Sequence, residues 1–179
     1  MHNLTIGHCN IQGGLIGIGK STEIKQLVSK YNIDILSLNE TNLNDSIDSD
    51  TLNIPASYDF VRKDRAVGSR GGCGLLINRR CLYNVFDIKT NIENIEAVWI
   101  KLKNINIYVC GFYRSSNYCN VDLFLDYMTE CMAKLQGKKV IWIGDINLDQ
   151  NNIKSLAVFN RRQQLDRKSK IWQFSPFTS

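Results

Sequence analysis

The chain has 179 residues, 44% hydrophobic and 22% charged, a composition typical of one soluble globular domain. No apolar run approaches the roughly 18 to 20 residues that a membrane span needs, so we expect an intracellular protein without a membrane partner. The six cysteines are scattered and form no C-x-x-C pair, which favours buried free thiols over disulfides or a zinc site.

The net charge of +5 is concentrated near the C-terminus. Residues 154–179 contain six basic residues and one acidic residue, so the charges of the preceding residues cancel. A basic segment of this kind is compatible with nucleic-acid contact, and equally with a solvated helix face.

The hydrophobic pattern predicts an α/β chain. A first strand over 3–11 is followed by a helix over 22–31, whose apolar face consists of Ile24, Leu27, Val28 and Tyr31. Further along, the pattern predicts strands at 33–40, 58–64, 73–78, 97–102, 105–113 and 139–145, a loop at 42–53, and a second helix at 121–135. The strands at 97–102 and 105–113 are expected to form a hairpin, and the apolar runs at 33–40 and 139–145 are typical of buried strands.

Residues 14–22, GLIGIGKST, match the pattern G-x-x-x-x-G-K-[ST] of phosphate-binding loops. In a P-loop NTPase, Lys20 and Ser21 would contact phosphate and Mg²⁺, and Asp145 would hold the ion from another strand. This hypothesis requires the strand that ends near Cys9 to lie beside the strand that ends at Asp145. In the alternative, the glycines form a turn, Ser21 or Thr22 caps the helix, and the lysine is solvated.

Polar side chains stand where several buried apolar runs end: Asn10, Glu40, Tyr113, Asp145 and Asn147. In layered α/β folds such strand ends gather along one edge of the sheets, where sites form. Glu40 with the Asn10 amide would supply the hard oxygen ligands that suit Mg²⁺. Asp145 and Asn147, two residues apart in extended backbone, can face the same phosphate or attacking water.

Five segments occur in a particular order along the chain: HCNIQGG, DILSLNETNL, RKDRAVGSRGGCGLLI, VCGFYR and IGDINLD. In this order and spacing they resemble the endonuclease/exonuclease/phosphatase superfamily over about residues 3–150. LNETNL and RGGCGLL are most similar to the endonuclease domains of LINE-type (non-LTR) retrotransposons. The resemblance places GLIGIGKST in a loop of variable length, and so favours coincidence as the origin of the phosphate-loop pattern.

The resemblance implies a four-layer α/β sandwich, in which two mixed β-sheets pack face to face with helices outside. It also implies Mg²⁺-dependent hydrolysis of DNA phosphodiesters, with Mn²⁺ as an alternative ion. Glu40 would bind the metal, supported by Asn10. Tyr113 would hydrogen-bond the scissile phosphate, Asp145 would orient or activate the attacking water, and Asn147 would donate to phosphate oxygens. A monomer in the nucleus, with a reverse transcriptase in the parent polyprotein, is expected on the same ground.

The sequence departs from the family pattern after Asp149. The family ends in Ser-Asp-His, whose Asp and His form an acid/base pair, whereas this chain has no histidine after His8, itself expected as a strand residue. The segment QFSPFTS faintly matches the family and would place Thr178 at a phosphate contact. We therefore expect a domain incomplete at its C-terminus that nicks DNA weakly or not at all. The alternative is a non-catalytic remnant that binds nucleic acid through Arg161, Arg162, Arg167 and Lys168.

Overall fold

The computed structural model describes residues 3–147 except 17, 67 and 69; the predictions for Thr178 and the basic segment 154–179 lie outside this part. The strands are β1 Ile6–Asn10, β2 Ile35–Asn39, β3 Tyr58–Lys63, β4 Cys73–Asn78, β5 Tyr83–Phe86, β6 Glu96–Leu102, β7 Ile107–Tyr113 and β8 Lys139–Asp145. The helices are α1 Ile18–Lys30 and α2 Val121–Lys134, and a 3₁₀ turn spans Ser49–Thr51. Neither α1 nor α2, nor any other helical segment of the described residues, has the length and apolarity of a membrane span.

The strands form two four-stranded sheets, in the orders β1-β2-β4-β3 and β5-β6-β7-β8. Each sheet is mixed, because β1 and β2 are parallel, β7 and β8 are parallel, and the other neighbours are antiparallel. In the parallel pairs, Asn10 lies opposite Asn39 and Tyr113 lies opposite Asp145. Each parallel pair therefore brings the carboxyl ends of its two strands to the same sheet edge.

The two sheets pack face to face, with one helix outside each. Along β7 the side chains alternate, so that Val109 faces the other sheet while Cys110 and Phe112 lie in the cluster that α2 covers. Ile24 and Val28 of α1 are buried against the outer face of the first sheet. The order of layers is helix, sheet, sheet, helix, and the predicted four-layer sandwich is confirmed.

Some element boundaries differ from the predicted ones. The first strand is shorter than predicted, and α1 begins at Ile18 rather than at residue 22, because its first turn has no apolar periodicity to reveal it. Tyr31, predicted on the buried helix face, lies just past the helix end and is 55% exposed. The short strand β5 was missed, because it is partly exposed and depends on its pairing with β6 rather than on a hydrophobic pattern of its own.

All six cysteines are free thiols, as predicted, and four of them are buried. Burial, together with the nearby charge of Asp34, raises the pKa of Cys81 to about 11, so this thiol is protonated at neutral pH. Burial likewise raises the pKa of Cys73. The cysteines described therefore pack as small apolar side chains.

Candidate active site

The five residues predicted for the site lie along one edge of the sandwich. Asn10 is the last residue of β1, and Glu40 directly follows β2. Tyr113 is the last residue of β7, Asp145 the last of β8, and Asn147 lies two residues beyond. Because each parallel pair ends at this edge, side chains far apart in sequence come from both sheets to one place.

The Asn10 amide joins the two carboxylates of this edge. Its Nδ2 donates to Glu40 Oε1 at 3.0 Å and to Asp145 Oδ2 at 3.2 Å. Its Oδ1 accepts a hydrogen bond from the Gln12 backbone N–H at 3.0 Å, which fixes the orientation of the amide. One neutral side chain thus holds an acidic residue of each sheet.

Tyr113 anchors Glu40 from the second sheet. Its hydroxyl donates to Glu40 Oε1 at 3.0 Å, the same oxygen that Asn10 contacts. Burial, and then the hydrogen bond to Glu40, raise the pKa of Tyr113 well above its ordinary value, so the hydroxyl remains a donor at neutral and mildly alkaline pH. Both of these donors contact Oε1, and no hydrogen bond from a described residue to the other carboxylate oxygen, Oε2, is present.

The two carboxylates lack a cationic partner in the described part of the chain, since no lysine or arginine there forms an ion pair with Glu40 or Asp145. Two like charges this close are stabilised by a nearby cation. Mg²⁺ is commonly held by one or two carboxylates and keeps water as its other ligands. The described residues contain no group of three or more His, Cys, Asp or Glu side chains that could hold a metal ion. The ligands that Glu40 and Asp145 offer are carboxylate oxygens, which are hard donors.

The backbone at Glu40 has an uncommon conformation, with φ at 57°. A non-glycine residue rarely adopts positive φ, and such strain persists only where the surrounding structure imposes it. Here the flanking backbone bonds run from Ile11 N to Asn39 O at 2.9 Å and from Thr41 N to Gly72 O at 3.4 Å. Strain of this kind is concentrated at functional sites, which agrees with a working role for the Glu40 carboxylate.

A tight turn after β8 positions Asp145. The Asn147 backbone N–H donates to Asp145 Oδ1 at 2.7 Å, so the two carboxylate oxygens are held by Asn147 and Asn10 respectively. Asn147 itself has φ at 47° and an exposed side chain. The structure places both residues in one turn at the site, and their contact with a phosphate or a water stays a prediction.

Arg114, for which the sequence predicts no role, holds this turn from inside the protein. It is 4% exposed, and its guanidinium donates to the carbonyls of Ile146 at 2.5 Å, of Cys119 at 2.6 Å, and of Asn147. Burial lowers the pKa of Arg114, and the three carbonyls replace the water that the guanidinium loses. The available signal was a charged residue directly after a buried strand, in the segment VCGFYR.

We expect Arg114→Met to destabilise the protein by about 2–5 kcal/mol, because buried carbonyls lose their donor. Urea denaturation followed by circular dichroism measures the effect. The matched control is Arg79→Met, which removes an exposed ion pair with Asp59 in which the arginine side chain is 64% exposed. For that variant we expect about 1 kcal/mol or less. Equal losses in the two variants would show that Arg114 does not hold the turn.

A buried polar contact joins the two sheets directly beneath the site. Asn39 is fully buried, and its Nδ2 donates to the Phe112 carbonyl at 2.9 Å. Glu40 directly follows Asn39 in the chain, and Tyr113 directly follows Phe112. The contact therefore fixes the position of each relative to the other across the sheet interface.

His8 lies in β1, as expected for a strand residue. Its Nε2 is buried and has no hydrogen-bond partner among the described residues. Burial lowers the pKa of His8, and the negative charge of Asp145 opposes this in part. The imidazole is therefore neutral at pH 7 and has its free nitrogen turned away from solvent.

The phosphate-loop hypothesis finds no support in the strand order. It requires β1 and β8 to be neighbours, whereas β1 pairs with β2 and β8 pairs with β7 in a separate sheet. Lys20 lies in α1 and pairs with Glu23 at 3.5 Å, with both side chains substantially exposed. This placement agrees with the solvated lysine of the alternative, but the predicted helix cap at Ser21 or Thr22 is wrong, because α1 begins at Ile18 and both residues lie inside it.

The protein family Endonuclease/Exonuclease/phosphatase matches residues 7–176. The chain belongs to this family. The match includes every segment on which the sequence resemblance rested, and the two-sheet sandwich with its outer helices agrees with it. Among curated proteins, none matches the sequence.

Several solved structures share the fold at low sequence identity. The AP endonuclease LMAP from Leishmania major has a TM-score of 0.67 and 14% identity, over 94% of this chain and 71% of that one. The endonuclease domain of TRAS1, a telomere-specific non-LTR retrotransposon, has a TM-score of 0.63 and 13% identity, over 91% and 71%. The 3′ phosphatase NExo from Neisseria, bound to a product DNA hairpin, has a TM-score of 0.64 and 12% identity, also over 91% and 71%.

Proposed function

We propose that this chain is a divalent-metal-dependent DNA endonuclease of the kind found in non-LTR retrotransposons, with low activity. Mg²⁺ is the ion we expect, and Mn²⁺ the alternative. The observation that carries the proposal is the pair of carboxylates, Glu40 and Asp145, held by one amide and unpaired with any described cation. Family membership and the likeness to DNA-processing nucleases support DNA as the substrate.

Glu40 would hold the metal, with Asn10 in support. The hydrogen bonds from Asn10 and Tyr113 to Oε1 keep the carboxylate in place and leave Oε2 without a described donor. A bound divalent ion would offset the negative charge that develops on the phosphate oxygens during hydrolysis. The donor set of the site fits this role, as its oxygens are hard ligands.

The other residues would act on the water and the phosphate. Asp145 would orient the attacking water, because both of its oxygens are already positioned by neighbours. Tyr113, a neutral donor, would exchange its bond to Glu40 for one to the scissile phosphate. The exposed Asn147 amide would donate to a phosphate oxygen. Neutral donors placed in advance where negative charge develops stabilise the transition state.

The test is nicking of supercoiled plasmid by the full chain with Mg²⁺, with Mn²⁺, and with EDTA. We expect slow formation of relaxed circles that requires a divalent ion and disappears in Asp145→Ala. The control Asp87→Ala removes an exposed carboxylate after β5 and should nick at the wild-type rate. Nicking by Asp145→Ala at the wild-type rate would refute the proposed role of the site.

The proposal includes finer expectations about context, which follow from the sequence resemblance to the endonuclease domains of non-LTR retrotransposons. These are a monomer, a nuclear site of action, and a reverse transcriptase encoded by the same element. They are part of the proposal and rest on the resemblance alone.

A further inference from the structure

An exposed tyrosine lies beside the candidate active site and is held by an arginine. Tyr118 follows β7 in the loop before α2 and is 59% exposed. The Cζ atom of Arg65 lies 4.4 Å from the centroid of its ring and 6.0 Å from the centroid of the Tyr113 ring. One guanidinium thus connects an exposed ring to the ring whose hydroxyl contacts Glu40.

The arginine is itself anchored to the second sheet. Its Nε donates to Glu96 Oε1 at 2.6 Å, and the two side chains are 10% and 9% exposed. Glu96 Oε2 accepts from the Gly72 backbone N–H at 2.6 Å. Glu96 also lies directly opposite Tyr113 in the β6–β7 register. The position of Arg65 is therefore set by the strands that carry the site.

The loop between β3 and β4 closes over this pair of side chains through glycines. A Cβ at Gly71, where φ is 125°, would lie 2.2 Å from Arg65 Nη2. A Cβ at Gly68, where φ is 103°, would lie 2.8 Å from the Tyr118 hydroxyl oxygen. Backbone packed this closely limits the space open to both side chains, and a Cβ at either glycine would intrude on it.

The charges around Tyr118 nearly cancel. A cavity of about 210 Å³ beside the ring is lined by Lys63, Asp64, Arg65 and Glu96, of which Asp64 pairs with Arg62 at 3.4 Å and Arg65 pairs with Glu96. The guanidinium is occupied by Glu96, and its Nη2 is buried rather than presented to solvent. A phosphate is bound by cations that are free to pair with it. Because Arg65 is not free in this way, the exposed ring rather than the guanidinium is the group that a nucleic acid would contact here.

We infer that Tyr118 stacks against a nucleobase of the DNA strand close to the scissile phosphate, an inference that rests on the proposed nuclease function. An exposed aromatic ring can stack on any base, because every base has a π-face. The rings of Tyr118 and Tyr113 both lie against the Arg65 guanidinium. Successive bases along a strand are about 3.4 Å apart, so the distance between the two rings corresponds to only a few nucleotides. A base inside a duplex is already stacked between its neighbours and cannot present its face to Tyr118. The expected substrate is therefore DNA with an unpaired or frayed nucleotide at the cleavage position.

The test is a fluorescence titration of the full chain with a short single-stranded DNA that contains 2-aminopurine, in EDTA so that hydrolysis cannot occur. We expect wild-type protein to quench the probe by stacking. Tyr118→Ala should lower affinity by about 5- to 150-fold and abolish the quenching, as expected for loss of one stacked base. Tyr118→Phe, which keeps the ring, should retain most of both.

The matched control is Tyr31→Ala. Tyr31 is 55% exposed and lies 5.0 Å from the Lys30 amine, but precedes β2 and so lies at the opposite end of the sheet from Glu40. Unchanged binding by Tyr118→Ala, an equal loss with Tyr31→Ala, or an equal loss on a fully paired duplex would each overturn the inference. Tyr118-dependent binding by a chain whose nicking does not depend on Asp145 would overturn the proposed function and leave the stacking site standing.

Discussion

Replacing Glu40 with glutamine should weaken Mg²⁺ binding by at least about 10- to 100-fold, the loss typical of a change in the outer shell of a metal site. The substitution keeps the shape of the side chain and an oxygen that can accept from Asn10 and Tyr113. It removes the negative charge, and with it the preference of the site for a cation. Isothermal titration calorimetry with Mg²⁺ and without DNA measures this independently of catalysis.

The control for this experiment is Glu23→Gln on α1. The Glu23 side chain is 69% exposed and pairs only with Lys20 among the ion pairs described, so the variant should bind Mg²⁺ as the wild type does. Denaturant midpoints of both variants show whether the fold is intact. Wild-type Mg²⁺ affinity in a folded Glu40→Gln protein would remove Glu40 from the metal site.

The sequence predicted the central strands better than the peripheral elements. β4 and β8 begin and end at the predicted residues, because continuous apolar runs bounded by turn residues are typical of buried strands. β5 has no continuous apolar run in the sequence. Its Val85 is 63% exposed, and the strand is defined by its hydrogen bonds to β6. The hydrophobic pattern of a sequence indicates which side chains are buried. An exposed edge strand buries few side chains, so this pattern does not reveal it.

The candidate site could be predicted because its residues stand at strand ends. The parallel pairs β1–β2 and β7–β8 place Asn10, Glu40 and Asp145 at one edge, as the rule for strand ends anticipates. Arg114 and Arg65 could not be assigned in this way. Their partners, Ile146 and Glu96, lie 32 and 31 residues away in the chain, and only the folded structure shows these contacts.

The rate of DNA nicking is the second large effect that we expect. It should lie about 10²–10⁴-fold below that of a family member with the terminal Asp-His pair, the usual contribution of a general acid or base. After Asp149 this sequence has no histidine and one carboxylate, Asp166, which stands among basic residues. His8 is no substitute, because its buried Nε2 faces away from solvent and its lowered pKa keeps the ring neutral.

A low rate is still expected above the background, because a held metal ion and neutral donors stabilise the transition state without proton transfer. Initial rates of plasmid nicking at saturating Mg²⁺, for wild type and Asp145→Ala, measure how much remains. A wild-type rate equal to that of a family member with the pair, and abolished by Asp145→Ala, would contradict the prediction. In that case Asp145, held by Asn10 and Asn147, would meet the need for an acid/base group without a histidine.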